Sequence, residues 1–191
     1  MNLEQEEIAF NRVTDGVKEE FAKITREFNI SGLELFLHNN IEYRIKYNKD
    51  LPVDVFDLRV SIVEDKNGLA KIESADLVLM TEKLKAYIRH NEGLSIKLRN
   101  KFRFIMRFEI GHYLYFRHFE EKQATYEEFE AAMEKYEADL WDFNELVRIS
   151  DFSTRERITK YYELGFNAWA AAKVGLAAET MIEFDNNIII P

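Results

Sequence analysis

The sequence predicts an α+β fold in a single domain, with a small, mainly antiparallel sheet packed on a long central helix. A helix precedes this unit and an acidic helix is inserted behind it. Three observations carry the prediction. Apolar residues recur at helical spacing from Leu3 to Phe28 and again from Leu98 to Phe116. They alternate at period two in stretches between Leu33 and Ile62. A heptad stripe then runs from Tyr126 to Val147, with acidic residues on its other faces.

Residues 1–30 read as an amphipathic helix through Ile8, Val13, Val17, Phe21, Ile24 and Phe28, with Gly16 as a candidate break. Residues 31–80 read as the sheet. Leu33, Leu35 and Leu37, then Ile41, Tyr43, Ile45 and Tyr47, alternate on either side of His38-Asn39-Asn40, the pattern of a hairpin with a turn-tolerant asparagine pair. Phe56 to Ile62 alternates as well, 65–68 reads as a turn, and Ala75 to Met80 is a short apolar run. Within 81–118, Thr81 and Ser95 are plausible caps for a short helix to about Arg89 and a long one to about His118. Residues 119–150 hold the acidic helix. In 151–191, Ser153-Thr154-Arg155-Glu156 forms a capping box for a helix to Val174 that stops at Gly175, followed by a short helix and the apolar tail Ile188–Pro191.

A chain of 191 residues suffices for one hydrophobic core, and a hydrophobic fraction of 47% with 14% aromatics can offset the ordering entropy. A formal charge of −9 leaves phosphate-backbone attraction to local patches. The one basic run, Lys97 to Arg107, reads as a solvated helix face, so nucleic acid is disfavoured as a partner. The absence of cysteine excludes disulfides, thiolate metal sites and cysteine nucleophiles. No run approaches the roughly 18 apolar residues of a membrane span, and the acidic start of the chain does not read as a signal peptide. A cytoplasmic location, or one within a particle assembled in the cytoplasm, is the expectation, with no membrane partner.

The chemistry-bearing segment is Phe108-Glu109-Ile110-Gly111-His112-Tyr113. In a His-Glu-x-x-His helix, two histidines one turn apart hold zinc from one face, because four residues advance the face by only about 40°. The glutamate beside the first histidine polarises the metal-bound water. Glu109 stands at the base position and His112 at the second-ligand position, while Phe108 stands where the first ligand would be. A later segment, Glu163-Leu164-Gly165-Phe166-Asn167-Ala168-Trp169-Ala170-Ala171, carries a glutamate, Glu163, and an amide four residues on, Asn167.

These two segments make the chain resemble zincin-like metallopeptidases of the gluzincin kind, closest to the ImmA/IrrE family, over roughly residues 51–175. The resemblance implies a zincin-like fold in which Glu109 is a vestigial general base, His112 and Glu163 are vestigial metal ligands, and Asn167 hydrogen-bonds a ligand histidine. Two departures stand out: Phe108 cannot donate to a metal, and about fifty residues separate His112 from Glu163. Two protein donors fall short of the three that a catalytic zinc site uses, so tightly bound zinc is not expected. A buried Glu and His on an apolar stripe also fit a metal-free hydrogen-bonded pair. His118 stands ten residues after Phe108 but lies on another face of the same helix, and His90 and His38 have no evident partners.

Three functions follow. The first is a catalytically impaired metallopeptidase homologue, a pseudoenzyme retained as a protein-binding or assembly module. Its partner or second copy would dock on Tyr126, Phe129, Met133, Tyr136, Leu140 and Phe143. The second is an active zinc-dependent peptidase with a substituted third ligand, zinc being its cofactor. The third is a structural component of a phage or mobile-element particle.

Overall fold

A computed structural model of the chain describes residues 1–177 except residue 53, and the fold is α+β. The expected last helix and the tail Ile188–Pro191 lie outside the described residues. In chain order the elements are α1 (Leu3–Glu27), β1 (Leu33–His38), α2 (Asn40–Tyr47), β2 (Phe56–Glu64), β3 (Ala70–Met80), α3 (Thr81–His90), α4 (Ser95–Glu121), α5 (Tyr126–Ile149), α6 (Thr154–Glu163) and α7 (Gly165–Lys173). The chain divides into two compact units. The first comprises Met1–Arg59 and Ser74–Glu109, and the second comprises Val60–Glu73 with the described residues from Ile110 onward.

In the first unit, α1 starts on a capping box between Asn2 and Gln5 and runs without interruption through Gly16. Gly16 is therefore no break. A Cβ there would lie 2.5 Å from Cγ of Arg99, so the missing side chain gives room for Arg99.

The expected strand 41–47 is instead the helix α2, which corrects the hairpin reading. The Asn39 side chain accepts from the N–H groups of Ile41 and Glu42, both at 2.9 Å, while the Glu42 carboxylate accepts from the Asn39 N–H at 2.8 Å. This reciprocal box nucleates a helix where alternation alone suggested a strand. Helical geometry then splits the four alternating residues into two opposite pairs. Tyr43 and Tyr47 face inward with rings 4.9 Å apart, whereas Ile41 and Ile45 are 70% and 78% exposed.

With α2 replacing a strand, the sheet has the order β1-β3-β2 and is mixed rather than mainly antiparallel. β1 pairs with β3 in parallel, Leu33 opposite Ala75 through His38 opposite Met80, and β2 and β3 form a hairpin. The connection from β1 to β3 passes through α2 and β2, which supplies the crossover that a parallel pair requires. β3 is the central strand, and its C-terminal part, Leu77 to Met80, is covered on both faces. Val78 and Met80 pack with Tyr43, and Leu77 and Leu79, alternating to the opposite side, are also fully buried. Phe56 of β2 meets Phe102 of α4 at a centroid distance of 6.3 Å, which seats the sheet on the long helix.

The basic run 97–107 is tied to α1 rather than solvated as a free patch. Arg103 and Arg107 donate to the two carboxylate oxygens of buried Glu20 at 2.7 and 2.9 Å, Arg107 also reaches Glu27, and Arg99 reaches Glu19 at 2.9 Å. Burial alone would raise the Glu20 carboxyl, but the two guanidinium hydrogen bonds outweigh it and hold it below the ordinary carboxylate range.

In the second unit, the turn joining β2 to β3 is closed by Asp65, whose carboxylate accepts from the N–H groups of Asn67 and Leu69 at 2.7 and 3.0 Å. Gly68 takes the positive φ of 78° that this turn requires. Leu69 bridges to Thr125, and a core of Ala70, Phe119, Ala124 and Phe129 forms around that bridge. α5 opens on a capping box between Thr125 and Glu128. The single helix expected over 154–174 is two, because Leu164 adopts extended angles (φ −57°, ψ 134°) that end α6 and begin α7.

Because Glu20 is a depressed carboxylate, the stability it contributes is full above its unfolded value and is lost as pH falls through its folded one. Glu20→Gln is expected to cost about 2 kcal/mol at neutral pH, a buried charge pair having lost one partner. Denaturant titrations across pH should show that cost shrinking below the ordinary carboxylate range.

Candidate functional site

The motif residues all lie on α4, whose apolar stripe makes it a buried helix over most of its length. Phe108 and Glu109 belong to the first unit, where Phe108 is buried and Glu109 half-buried. Glu109 has an acidic neighbour that sequence spacing did not disclose. Asp54 lies at the surface with its carboxyl partly desolvated, and that desolvation first, then the charge of Glu109, pushes it above the ordinary carboxylate range. Lys83 pulls it the other way. No sequence motif joins residues 54 and 109, so this charge repulsion follows only from the fold.

In the second unit, His112 is buried and makes contacts that define its chemistry. Its Nε2 lies 3.1 Å from Oδ1 of Asn167, itself fully buried. Nδ2 of Asn167 donates to the Tyr161 carbonyl at 2.8 Å, which fixes the amide with its oxygen toward the histidine. Nε2 of His112 must therefore carry the proton and donate. The amide thus satisfies a buried ring nitrogen on α4 and a carbonyl at the end of α6 at once, where Leu164 has broken the helix.

One face of the imidazole is covered by Phe166, stacked at 4.6 Å with an interplanar angle of 3°. Phe166 is the hub of an aromatic cluster, meeting Tyr115 at 4.7 Å, Phe116 at 5.7 Å and Tyr136 of α5 at 4.4 Å. Trp169 meets Tyr115 at 5.2 Å. The heptad stripe of α5 thus packs substantially inside this unit: Phe129 lies against Phe116 and Phe119, Tyr136 against Phe166, and Phe143 against Tyr161. Tyr126, Met133, Tyr136, Leu140 and Phe143 nevertheless remain only half-buried.

Gly111, one residue before the histidine, permits the approach of α4 to α7. A Cβ there would sit 2.4 Å from the Ala170 carbonyl oxygen and 2.8 Å from its carbon, both backbone atoms with no freedom to retreat.

The remaining predicted residues fall elsewhere. Glu163 is the exposed last residue of α6, separated from Asn167 by the break at Leu164. His118 is exposed in the last turn of α4, beside Trp169 at 5.7 Å. His90 is exposed, with Nδ1 2.8 Å from the Ala86 carbonyl. His38 stacks on Phe36 and sets Nδ1 3.8 Å from Glu42. The structure therefore brings together His112 and Asn167, and leaves Glu163 on the solvent side of its helix.

The donor set does not fit a resident zinc ion. The Nε2 of His112 is engaged as a donor to Asn167, and the position one turn before it is a buried phenyl ring. Among the described residues no group of three or more His, Asp or Glu side chains is arranged to hold a metal. No family model, curated protein or solved structure matches this chain.

Two outcomes are expected. Gly111→Ala forces apart two backbones and should cost about 2 kcal/mol or more of unfolding free energy by denaturant titration. Asp54 is a raised carboxyl, so the folded chain holds its proton more tightly than the unfolded one, and stability falls as pH rises through that interval. Asp54→Asn should therefore melt above wild type at neutral pH, with the gain fading toward acid.

Proposed function

We propose that this chain is a zincin-like metallopeptidase homologue without hydrolytic activity, retained as a protein-binding module. The observation that carries the reading is the reassignment of His112. Its Nε2, the atom that a motif helix of this kind would present to zinc, instead donates to Asn167 and ties α4 to α7. A catalytic metal site needs three protein donors and an open position for water. Here the first-ligand position is Phe108, and Glu163 is exposed.

A binding role draws on α5. Intramolecular packing leaves part of Tyr126, Met133, Tyr136, Leu140 and Phe143 accessible, and Trp141 stands 67% exposed on the same helix. Large exposed aromatic side chains are enriched at protein interfaces, where they supply contact area at low entropic cost. A protein partner laid along α5 would cover both. No helix among the described residues is long and apolar enough to cross a membrane.

The test is metal content joined to activity. Protein expressed in zinc-replete medium is expected to carry no stoichiometric zinc and to show no peptide cleavage that depends on Glu109. Stoichiometric zinc together with cleavage abolished by Glu109→Gln would sink the reading in favour of an active peptidase. Descent from a zinc enzyme has its own readout: Phe108→His is expected to gain zinc affinity by isothermal titration calorimetry, and a variant with no gain would remove that part of the reading.

A further inference from the structure

The sequence offered one basic run, and the fold pairs its three arginines, Arg99, Arg103 and Arg107, with carboxylates of α1. The fold also assembles a second group of cations that no linear pattern marks. Arg44, Asn48 and Lys49 at the end of α2 meet Arg59 of β2 and Asp50 around an open cleft of about 740 Å³. The whole cleft belongs to the first unit.

The cations differ in how they are held. Arg59 is fixed from behind: its Nε donates to Asp57, its Nη2 donates to the hydroxyl of Tyr43, and that hydroxyl donates to Asp57 at 2.6 Å. Tyr43 is fully buried, and burial first, with Asp57 second, pushes its phenol up to about 12, so it stays a neutral donor throughout the physiological range. The guanidinium is thereby oriented before any ligand arrives, with Nη1 having no protein partner among the described residues. Arg44 and Lys49 are exposed, and neither forms an ion pair among the described residues. By contrast, Lys46 of the same helix is paired with Asp76 at 3.0 Å.

With Arg59 already paired to Asp57, Arg44 and Lys49 against the one rim carboxylate, Asp50, leave a local excess of positive charge in a chain whose formal charge is −9. A phosphate monoester carries about −1.5 to −2 at neutral pH and accepts bidentate bonds from arginine, so it matches both the charge and the donor geometry. The cleft is open to solvent and roomier than inorganic phosphate requires. Asp50 and the Asn48 side chain add an acceptor and a mixed donor–acceptor at the rim, suited to hydroxyl groups.

We propose that this cleft binds a phosphorylated small molecule with a hydroxylated body, its phosphate held by Arg59, Arg44 and Lys49. The site is separate from His112 and stands whether or not the metallopeptidase reading does. Cations in the last turn of a helix also complement its negative end. That role requires no ligand and gives no selectivity among anions.

The test is isothermal titration calorimetry on the full chain with ribose 5-phosphate and adenosine monophosphate, against ribose, adenosine, inorganic phosphate and sulfate at matched ionic strength. At least one phosphomonoester is expected to bind more tightly than inorganic phosphate, while the unphosphorylated bodies and sulfate do not saturate. Arg44→Gln and Lys49→Gln lie on the exposed rim, leave the Tyr43 network intact, and should each weaken binding by about tenfold. Arg59→Gln should abolish binding, with circular dichroism confirming the fold. Binding no tighter than sulfate, binding unchanged in both rim variants, or a response to inorganic phosphate with no gain from either phosphomonoester would each overturn the proposal.

Discussion

The second unit depends on the approach of two helix backbones at Gly111. Because a Cβ there would stand 2.4 Å from the Ala170 carbonyl oxygen, only glycine lets α7 lie this close to α4. That proximity places Asn167 within hydrogen-bonding distance of His112 and lays Phe166 flat on the imidazole. The aromatic cluster that receives Tyr136 of α5 is built on the same Phe166. A buried imidazole needs its polar atoms satisfied, and a buried amide needs the same; each meets part of the other's requirement. The break at Leu164 adds one more demand, a carbonyl at the end of α6, which the same amide meets.

Polar side chains organise the first unit as well. Reciprocal caps start α1 and α2, and the Glu20 carboxylate gathers two arginines of α4 onto α1. Tyr43 and Tyr47 continue the theme, each bearing an apolar ring into the core and a hydroxyl that donates to a carboxylate, Asp57 or Asp76. The consequence for function is that Arg99, Arg103 and Arg107 of the basic run are paired with carboxylates of α1, while Arg44 of α2 and Lys49 just past its C-terminal end remain turned to solvent beside an oriented Arg59.

Two of the sequence expectations that gave way did so for definable reasons. Alternation from Ile41 to Tyr47 is compatible with a strand or with a helix carrying two pairs at spacing four, and the Asn39–Glu42 box decides for the helix. That box is visible in the sequence as Asn-x-x-Glu, so the signal was present and outweighed by periodicity. The break at Leu164 left no comparable mark beyond Gly165, and it separates Glu163 from the residue with which a continuous helix would have aligned it.

The sequence by itself determined the α+β class, the long helices, the capping box of α6, β2 and the turn at 65–68. These features rest on local periodicity and on residues within four positions of one another, which a linear reading can see. Tertiary structure alone decided the parallel pairing of β1 with β3, the pairing of Arg99, Arg103 and Arg107 with α1, the charge interaction of Asp54 with Glu109 and the cleft of Arg44, Lys49 and Arg59. It also decided which ring nitrogen of His112 is occupied. Each of these joins residues distant in the chain, and such contacts are fixed by which faces can be buried together, a choice that no local pattern encodes.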